Sequence, residues 1–351
     1  MGVATLKCEY IWLDGTTPTQ SLRSKTKVVT VNSEEEEWSL KVTDLPVWGF
    51  DGSSTGQATI KQSDCVLVPV FASVDPNRPN GVLVLCEVLD SDMNPHPTNS
   101  RSKLISSMRK CIDEQPAVGF EQEYFFMKNE RPLGWPEEGV PAEQGPYYCA
   151  VGDSNVVGRD IAENHLSSCI GAGLSIGGIN AEVALGQWEF QVGGPDVNAV
   201  TACDHLVVAR YLLSRVAEVA SVGVNLDPKP VSGDWNGSGL HANFSTKSMR
   251  EEGGMEHITN ACNALGSDSA IHDAVSNYGD GLERRLTGTH ETSKINNFTF
   301  GVSDRSASVR IPLHVSRAGF GYFEDRRPNS NADPYMVTKT IVDAVCFQNE
   351  G

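Results

Sequence analysis

From Tyr10 to Asp90 hydrophobic and polar positions alternate in short runs, the period of strands half buried against a core. The pattern predicts strands at Glu9–Leu13, Lys25–Val31, Cys65–Phe71 and Val82–Val88. Asp14-Gly15, Asp75-Pro76 and Pro79-Asn80-Gly81 supply turns between them. Trp48–Gly56 (WGFDGSSTG) is too rich in Gly and Ser for a core strand, yet it carries two aromatics. The acidic run Glu34–Glu37 reads as a solvated loop. Ser91–Ser100 is dominated by Pro, Asn and Ser and marks a boundary between a first unit, residues 1–92, and a second, 93–351. Thr98 or Asn99 is placed to cap a helix from Ser100 or Arg101 to about Ile112.

The second unit mixes periods. Ala117–Met127 reads as a strand, Pro132–Gly152 as a Pro- and Gly-rich loop, and Val157–Gly171 has helical spacing. Ile179–Gly193 then reads as a hairpin with its turn at Leu185-Gly186. That register pairs Ala184 with Gln187, Val183 with Trp188 and Glu182 with Glu189. Two carboxylates directly opposite on one face are destabilising. Such a pair binds a cation or shares a proton, unless the hairpin is simply exposed and both acids are hydrated. Asp204 is placed to cap a helix through about Ala220, with Leu206, Ala209, Leu213 and Val216 on one stripe. Leu240–Ser245 reads as a strand, and Glu256–Leu265 and Asp268–Val275 as short helices.

Charge narrows the function. Of 351 residues, 28 are Lys or Arg and 45 are Asp or Glu, a net charge of −17. A phosphate backbone needs a basic face, so no nucleic-acid partner is expected. An anionic small substrate needs arginines or metal ions to reverse the field locally. The nine cysteines include no CxxC pair, which argues against structural zinc and fits a reducing compartment. The N-terminus shows neither a secretory nor a transit pattern, and no run of about eighteen apolar residues occurs. A cytoplasmic protein without a membrane span is expected.

Candidate chemistry sits in two groups. Glu121 and Glu123 share one face of their strand, and Glu182, Glu189 and Glu324 add three more acids. His241 shares a face with Asn243 and Ser245. A lone strand histidine is more often structural than a ligand, but these acids with one imidazole would form hard sites suited to Mg2+ or Mn2+. Residues 284–327 carry eight cationic side chains against four acids. Scattered arginines commonly make a salt-bridged surface, yet here they accompany Gly and Ser rather than an amphipathic helix. Metal ligands together with arginines point to phosphoryl transfer. No Gly-Lys-Ser/Thr occurs, so ATP would be held without a P-loop. GSSTG at Gly52 matches a nucleophile elbow but lacks its strand and helix.

Together, FDGSSTGQA at Phe50, GFEQEYFFM at Gly119, INAEV with QWEFQVG, NGSGLHANFST at Asn236, RRLTGTHETS at Arg284, RSASVRIP at Arg305 and GYFEDRRPNSNADPY at Gly321 resemble the glutamine synthetase family, in its shorter eukaryotic-type form. The likeness runs from about Tyr10 to Tyr335. It implies an α+β fold, with an N-terminal β-grasp domain followed by a catalytic domain whose curved antiparallel sheet is flanked by helices. It implies that ATP, L-glutamate and ammonia give L-glutamine, ADP and phosphate through a γ-glutamyl phosphate. One Mg2+ or Mn2+ is expected at Glu123, Glu182 and Glu189 and another at Glu121, His241 and Glu324, with two or three ions per site. Glutamate is expected at Arg285, Arg305 and Arg326 and at Asp234, Trp235, Asn236 and Gly237. ATP is expected at Glu121, at Glu189, Phe190, Gln191, Val192 and Gly193, and at Asn243, Phe244 and Ser245. Arg305, Arg310, Tyr322, Phe323 and Glu324 complete the nucleotide set. Arg305 and Arg310 are implied in catalysis, with Asp51 reaching in from a neighbouring subunit to deprotonate ammonium and Glu291 on a closing flap. The resemblance implies a homo-oligomer, two stacked pentamers, with sites between adjacent subunits.

Three features depart from the family pattern. Gly193–Asn198 is about two residues longer than usual, Asp234 stands where Asn is common beside Trp235, and the N-terminal helical lead-in is missing or very short. Two other readings remain open at this point. One is a γ-glutamyl ligase for a larger amine, against which Asp51 and Glu291 argue. The other is a non-enzymatic relative, which predicts lost ligands.

Overall fold

The computed structural model describes residues 2–33, 41–143 and 145–347; the acidic run 34–37 lies outside them. The first part forms a five-stranded sheet from β1 (Gly2–Leu13), β2 (Leu22–Ser33), β3 (Trp48–Asp51), β4 (Asp64–Val74) and β5 (Gly81–Leu89). Their order is β2-β1-β5-β4-β3, with β1 and β5 parallel and the other pairs antiparallel. Trp48–Asp51 is therefore a strand after all, at the sheet edge, where Gly49 can stand opposite Val66 without a core side chain of its own. Period-two alternation divides this sheet between two cores. Leu6, Cys8, Tyr10 and Trp12 face Val82, Val84, Cys86 and Val88 in one cluster. Ile11, Leu83 and Leu85 point the other way and join the main core.

The helices follow. α1 (Ser100–Lys110) is capped by Asn99, whose side chain accepts from Ser102 N at 3.0 Å. α2 is Arg159–Gly171 and α3 is Ala199–Val219. The large sheet is built from β6 (Ala117–Lys128), a short β7 (Arg131–Pro132), β8 (Ile176–Ala181), β9 (Gln187–Asn198), a short β10 (Gly223–Asn225) and β11 (Leu240–Ser245). β12 (Phe300–Val302), β13 (Val309–Ile311) and β14 (Phe323–Asp325) complete it. Its main order is β12-β13-β14-β11-β6-β9-β8, antiparallel except for β12 beside β13. Short helices α4 (Lys247–Arg250), α5 (Met255–Leu265), α6 (Asp268–Asn277), α7 (Leu282–Arg285) and α8 (Leu313–Ala318) flank it. α9 (Pro334–Cys346) packs on α1, α3, α5 and α6. It begins with Asp333 as cap and Pro334 in the first turn, a start signal the hydrophobic pattern did not pick out.

α3 departs from its expected amphipathic form. Asn198, the last residue of β9, caps it by accepting from Val200 N and Thr201 N. Asp204 lies inside the helix and is buried. Its carboxylate accepts from Arg101 Nε and Nη2 at 2.8 and 2.9 Å and from the Tyr335 hydroxyl at 2.7 Å. Residues 202–209 and 211–213 of α3 are all buried, because the large sheet, β5, α2 and α9 cover its sides.

The Asp204 cluster ties α1, α3 and α9 together. Asp204→Ala leaves the Arg101 guanidinium without its counter-charge, and removing one member of a buried pair costs about 3 kcal/mol or more. The expected result is a lower urea midpoint with unchanged slope.

Candidate active site

Register places the acids. β6 lies between β11 and β9, and its alternation sends Glu121 and Glu123 to one face. Gln122 points to the other face, is buried and accepts from Arg210 Nε at 2.7 Å. Antiparallel pairing sets His241 of β11 opposite Glu121 and Glu189 of β9 opposite Glu123. β14 adds Glu324, opposite Asn243. Glu182 arrives from the connection between β8 and β9. Two triads result, Glu121–His241–Glu324 and Glu123–Glu182–Glu189, and within each the ligand atoms lie within 4.8 Å of one another. Both border one cavity of about 620 Å3.

The hairpin differs from its predicted register. Glu189 pairs with Asn180, and Ala181 with Trp188, so residues 182–186 form the connection instead of a two-residue turn. Phe126 donates its backbone N–H to Gly186 O at 3.0 Å, which draws the turn onto β6. Gly186 is held at φ +87°, where a Cβ would lie 2.6 Å from Leu133 O. The opposed like charges are real, but they belong to Glu123 and Glu189 on neighbouring strands.

The electrostatics follow from that crowding. Burial, then Glu123, pushes Glu182 up to about 8. Burial, then the charges of Glu121, Glu123 and Glu182, pushes Glu189 up to about 10. Glu121 goes the other way. Burial alone would raise it, but His241 and the Asn243 amide together hold it down at about 2. His241 Nδ1 lies 3.2 Å from Glu121 and 3.4 Å from Glu324. An amide pair bridges the other two acids. Asn180 Nδ2 donates to Glu182 at 2.8 Å, and Gln191 Nε2 donates to Asn180 Oδ1 at 2.8 Å and to Glu189. Oxygen-rich triads whose acids repel one another fit hard divalent cations, which would offset the repulsion.

Arginines complete the cavity. Arg310 and Arg326 donate to the two oxygens of Glu324 at 2.8 and 2.6 Å. Each keeps a buried Nε without an acceptor. Arg285 is buried, and burial lowers it to about 10. Its Nη2 lies 3.2 Å from His241 Nε2. Gly237 and Gly239 make its path possible, since a Cβ at Gly239 would meet Arg285 Nη2 at 2.3 Å. Arg305 is exposed, 3.9 Å from the Glu291 carboxylate. Three arginines from the sequence cluster take other places: Arg284 pairs with Asp227, Arg327 pairs with buried Asp325, and Arg317 lies in the last turn of α8.

The remaining candidates divide. Asn236, Gly237, Glu291 and Gln191 line the cavity. The Phe190, Val192, Phe244 and Phe323 side chains are packed in the main core, so only their backbone is available to a ligand. Trp235 is buried against Trp135, with ring centroids 4.7 Å apart. Asn243 is engaged by Glu121, Ser245 by Arg250 and Pro195 O, and Tyr322 packs on His314. Gly193 lies within β9 at φ +76°, and Gly193–Asn198 is strand rather than loop. Asp51 stands outside the cavity at the end of edge strand β3. There it accepts from Ser53 N, Ser53 Oγ and Ser54 Oγ, which hold it below the ordinary carboxylate range. The sequence reading missed Tyr148, Asn180, His290 and Thr292, all of which line the cavity. Asn180 and His290 could have been noticed as the polar neighbours of Glu182 and Glu291.

Fold and site together define an α+β enzyme built for divalent cations and anionic substrates. The family model "Glutamine synthetase, beta-Grasp domain" matches residues 5–91, and "Glutamine synthetase, catalytic domain" matches residues 99–267. A glutamine synthetase of Streptomyces viridochromogenes is 53% identical over 343 residues, 97% of both chains. One of Neurospora crassa is 49% identical over 97% of this chain and 92% of its own. A glutamine synthetase cytosolic isozyme of Medicago sativa is 48% identical over 95% of this chain and 92% of its own. The chain belongs to the glutamine synthetase family, the glutamate–ammonia ligases. Among the described residues no helix is long and apolar enough to cross a membrane.

The raised acids set a pH dependence. Without divalent ions, Glu182 and Glu189 hold protons more tightly folded than unfolded. Their contribution to stability is complete below the ordinary carboxylate range and is lost as pH rises through about 8 and about 10. The metal-free Tm is therefore expected to fall between pH 6 and 8.5, and added Mg2+ to raise it more at pH 8.5. A Mg2+ increment independent of pH would contradict this.

Proposed function

We propose that this chain joins ammonia to the side-chain carboxylate of L-glutamate, with ATP supplying the phosphoryl group for a γ-glutamyl phosphate. The observation that carries this is the juxtaposition of both acid triads with Arg285, Arg310 and Arg326 around one cavity. A carboxylate is a poor acyl donor because its leaving group would be oxide; phosphorylation makes phosphate the leaving group. Mg2+ or Mn2+ held by Glu123, Glu182 and Glu189 and by Glu121, His241 and Glu324, two or three ions per site, would neutralise phosphate charge.

The protein's own groups have distinct tasks. Arg310 and Arg326 line the cavity and can turn guanidinium donors to an anionic oxygen. Arg310 and Arg305 would stabilise charge on the transferring phosphoryl group, while Arg285, Arg305 and Arg326 hold glutamate beside the Asp234–Gly237 backbone. ATP would lie along the Glu189–Gly193 and Asn243–Ser245 strands and the Tyr322–Glu324 segment. Ammonium becomes a nucleophile only after losing a proton, so a carboxylate must stand near it. Asp51 is exposed at a sheet edge and outside its own cavity, which suits delivery to a neighbouring subunit. The family resemblance adds to this reading a homo-oligomer of two stacked pentamers, acting in the cytoplasm. Glu291 would close over the intermediate and exclude water.

Two measurements test this reading. Purified protein with ATP, glutamate, Mg2+ and ammonium should form glutamine, with far less product from ethylamine or a polyamine; preference for the larger amine would sink the ammonia assignment. Asp51→Asn and Arg326→Ala should each lower kcat/KM by about a hundredfold or more. Co-assembling the two variants should restore part of the activity, because some interfaces then pair two intact halves. No restoration would mean that each subunit is self-sufficient.

A further inference from the structure

The departure at Asp234 has a partner in the cavity wall. Asp234 Oδ1 lies 2.9 Å from His290 Nε2. The two residues come from separate segments: Asp234 precedes Asn236 and Gly237, and His290 precedes Glu291. Residues 287–294 form a small loop closed by a bridge between Thr287 and Lys294. At its tip His290 and Glu291 both take left-handed backbone conformations, φ +54° and +58°. Non-glycine residues adopt that region at a cost, so the surroundings must hold the tip in place. Two ties reach it from the arginine side: Arg305 beside the Glu291 carboxylate, and Arg326 Nη2 donating to Glu291 O at 3.3 Å. His290 supplies a tie in another direction, to the segment that carries Trp235. Lys229 lies within the field of Asp234 and Glu143, and its Nζ donates to Trp235 O. The segment receiving the tie is thus anchored in turn.

We propose that Asp234 and His290 are positioning residues that latch the Glu291 loop to the Trp235 segment and so shield the acyl phosphate from water. The shielding role rests on the function proposed above; the latch itself does not. When the loop swings free, the oxygen of water attacks the acyl carbon of γ-glutamyl phosphate. The bond from that carbon to the bridging oxygen breaks, phosphate leaves with the electron pair, and the proton passes to solvent. Glutamate is regenerated, so the net change is ATP and water to ADP and phosphate.

The test compares full-length wild type with Asp234→Ala, His290→Ala, the double variant and Asp234→Asn, which keeps an acceptor. Hydrogen–deuterium exchange of residues 287–294 without substrates is expected to rise in each alanine variant. A single solvent-accessible contact between a carboxylate and an imidazole supports a change of about two- to fivefold. The double variant should exchange no faster than either single one, and Asp234→Asn should recover part of the protection. In turnover, phosphate released per glutamine formed should rise in the same order while KM for ATP stays put. Unchanged exchange, or additive effects in the double variant, would overturn the latch. A phosphate-to-glutamine ratio fixed at wild-type value despite faster exchange would overturn the shield. Wild type that is protected but forms no glutamine counts against the activity proposed above and leaves the latch standing.

Discussion

The opposition of Glu123 and Glu189 on adjacent strands is the constraint around which the site is arranged. A sheet normally avoids like charges in direct register. Here the ladder between β6 and β9 enforces it, Glu182 is brought in beside them, and burial removes the solvent that would otherwise screen all three. The cost is visible in how tightly Glu182 and Glu189 hold their protons. The amides of Asn180 and Gln191 orient the two acids without neutralising them. Such an arrangement persists because something positive belongs there.

The second triad solves a different problem. Glu324 is flanked by Arg310 and Arg326, and His241 bridges Glu121 to Arg285. Negative and positive groups are interleaved rather than segregated. In a chain with a net charge of −17, this is how a local field suited to phosphate and carboxylate arises. The cavity lined by Arg285, Arg310 and Arg326 is where that field is open to a ligand.

Much of this was legible in the sequence because alternation is a local rule. Glu121 and Glu123 had to share a face once Ala117–Met127 was a strand, and the Arg-rich segment stood out against an acidic chain. What was not legible depended on distant contacts. Glu182 could not be paired correctly, because the turn is drawn onto β6 by the Phe126-to-Gly186 bond, 60 residues apart in sequence. Asp204 carried an ordinary cap signal, and only Arg101 and Tyr335, far away in the chain, reveal it as a buried anchor. Trp48–Gly56 was too rich in Gly and Ser for a core strand, and its first four residues form an edge strand whose aromatics Trp48 and Phe50 rest on the smaller core. The helix starting at Pro334 was signalled by its own cap and was overlooked beside the neighbouring chemistry.

The two-faced five-stranded sheet carries one more implication. Ile11, Leu83 and Leu85 are lodged in the same apolar interior as Leu104 and the long helix from Ala199 to Val219. Severing the chain near Ser91 would leave both pieces with a raw oily surface, whatever their individual topology. The amino-terminal sheet is thus not a detachable accessory. A shared interior of this kind leads us to expect both parts to unfold together, while Trp48 and Phe50 beside Asp51 rest on the sheet's other core.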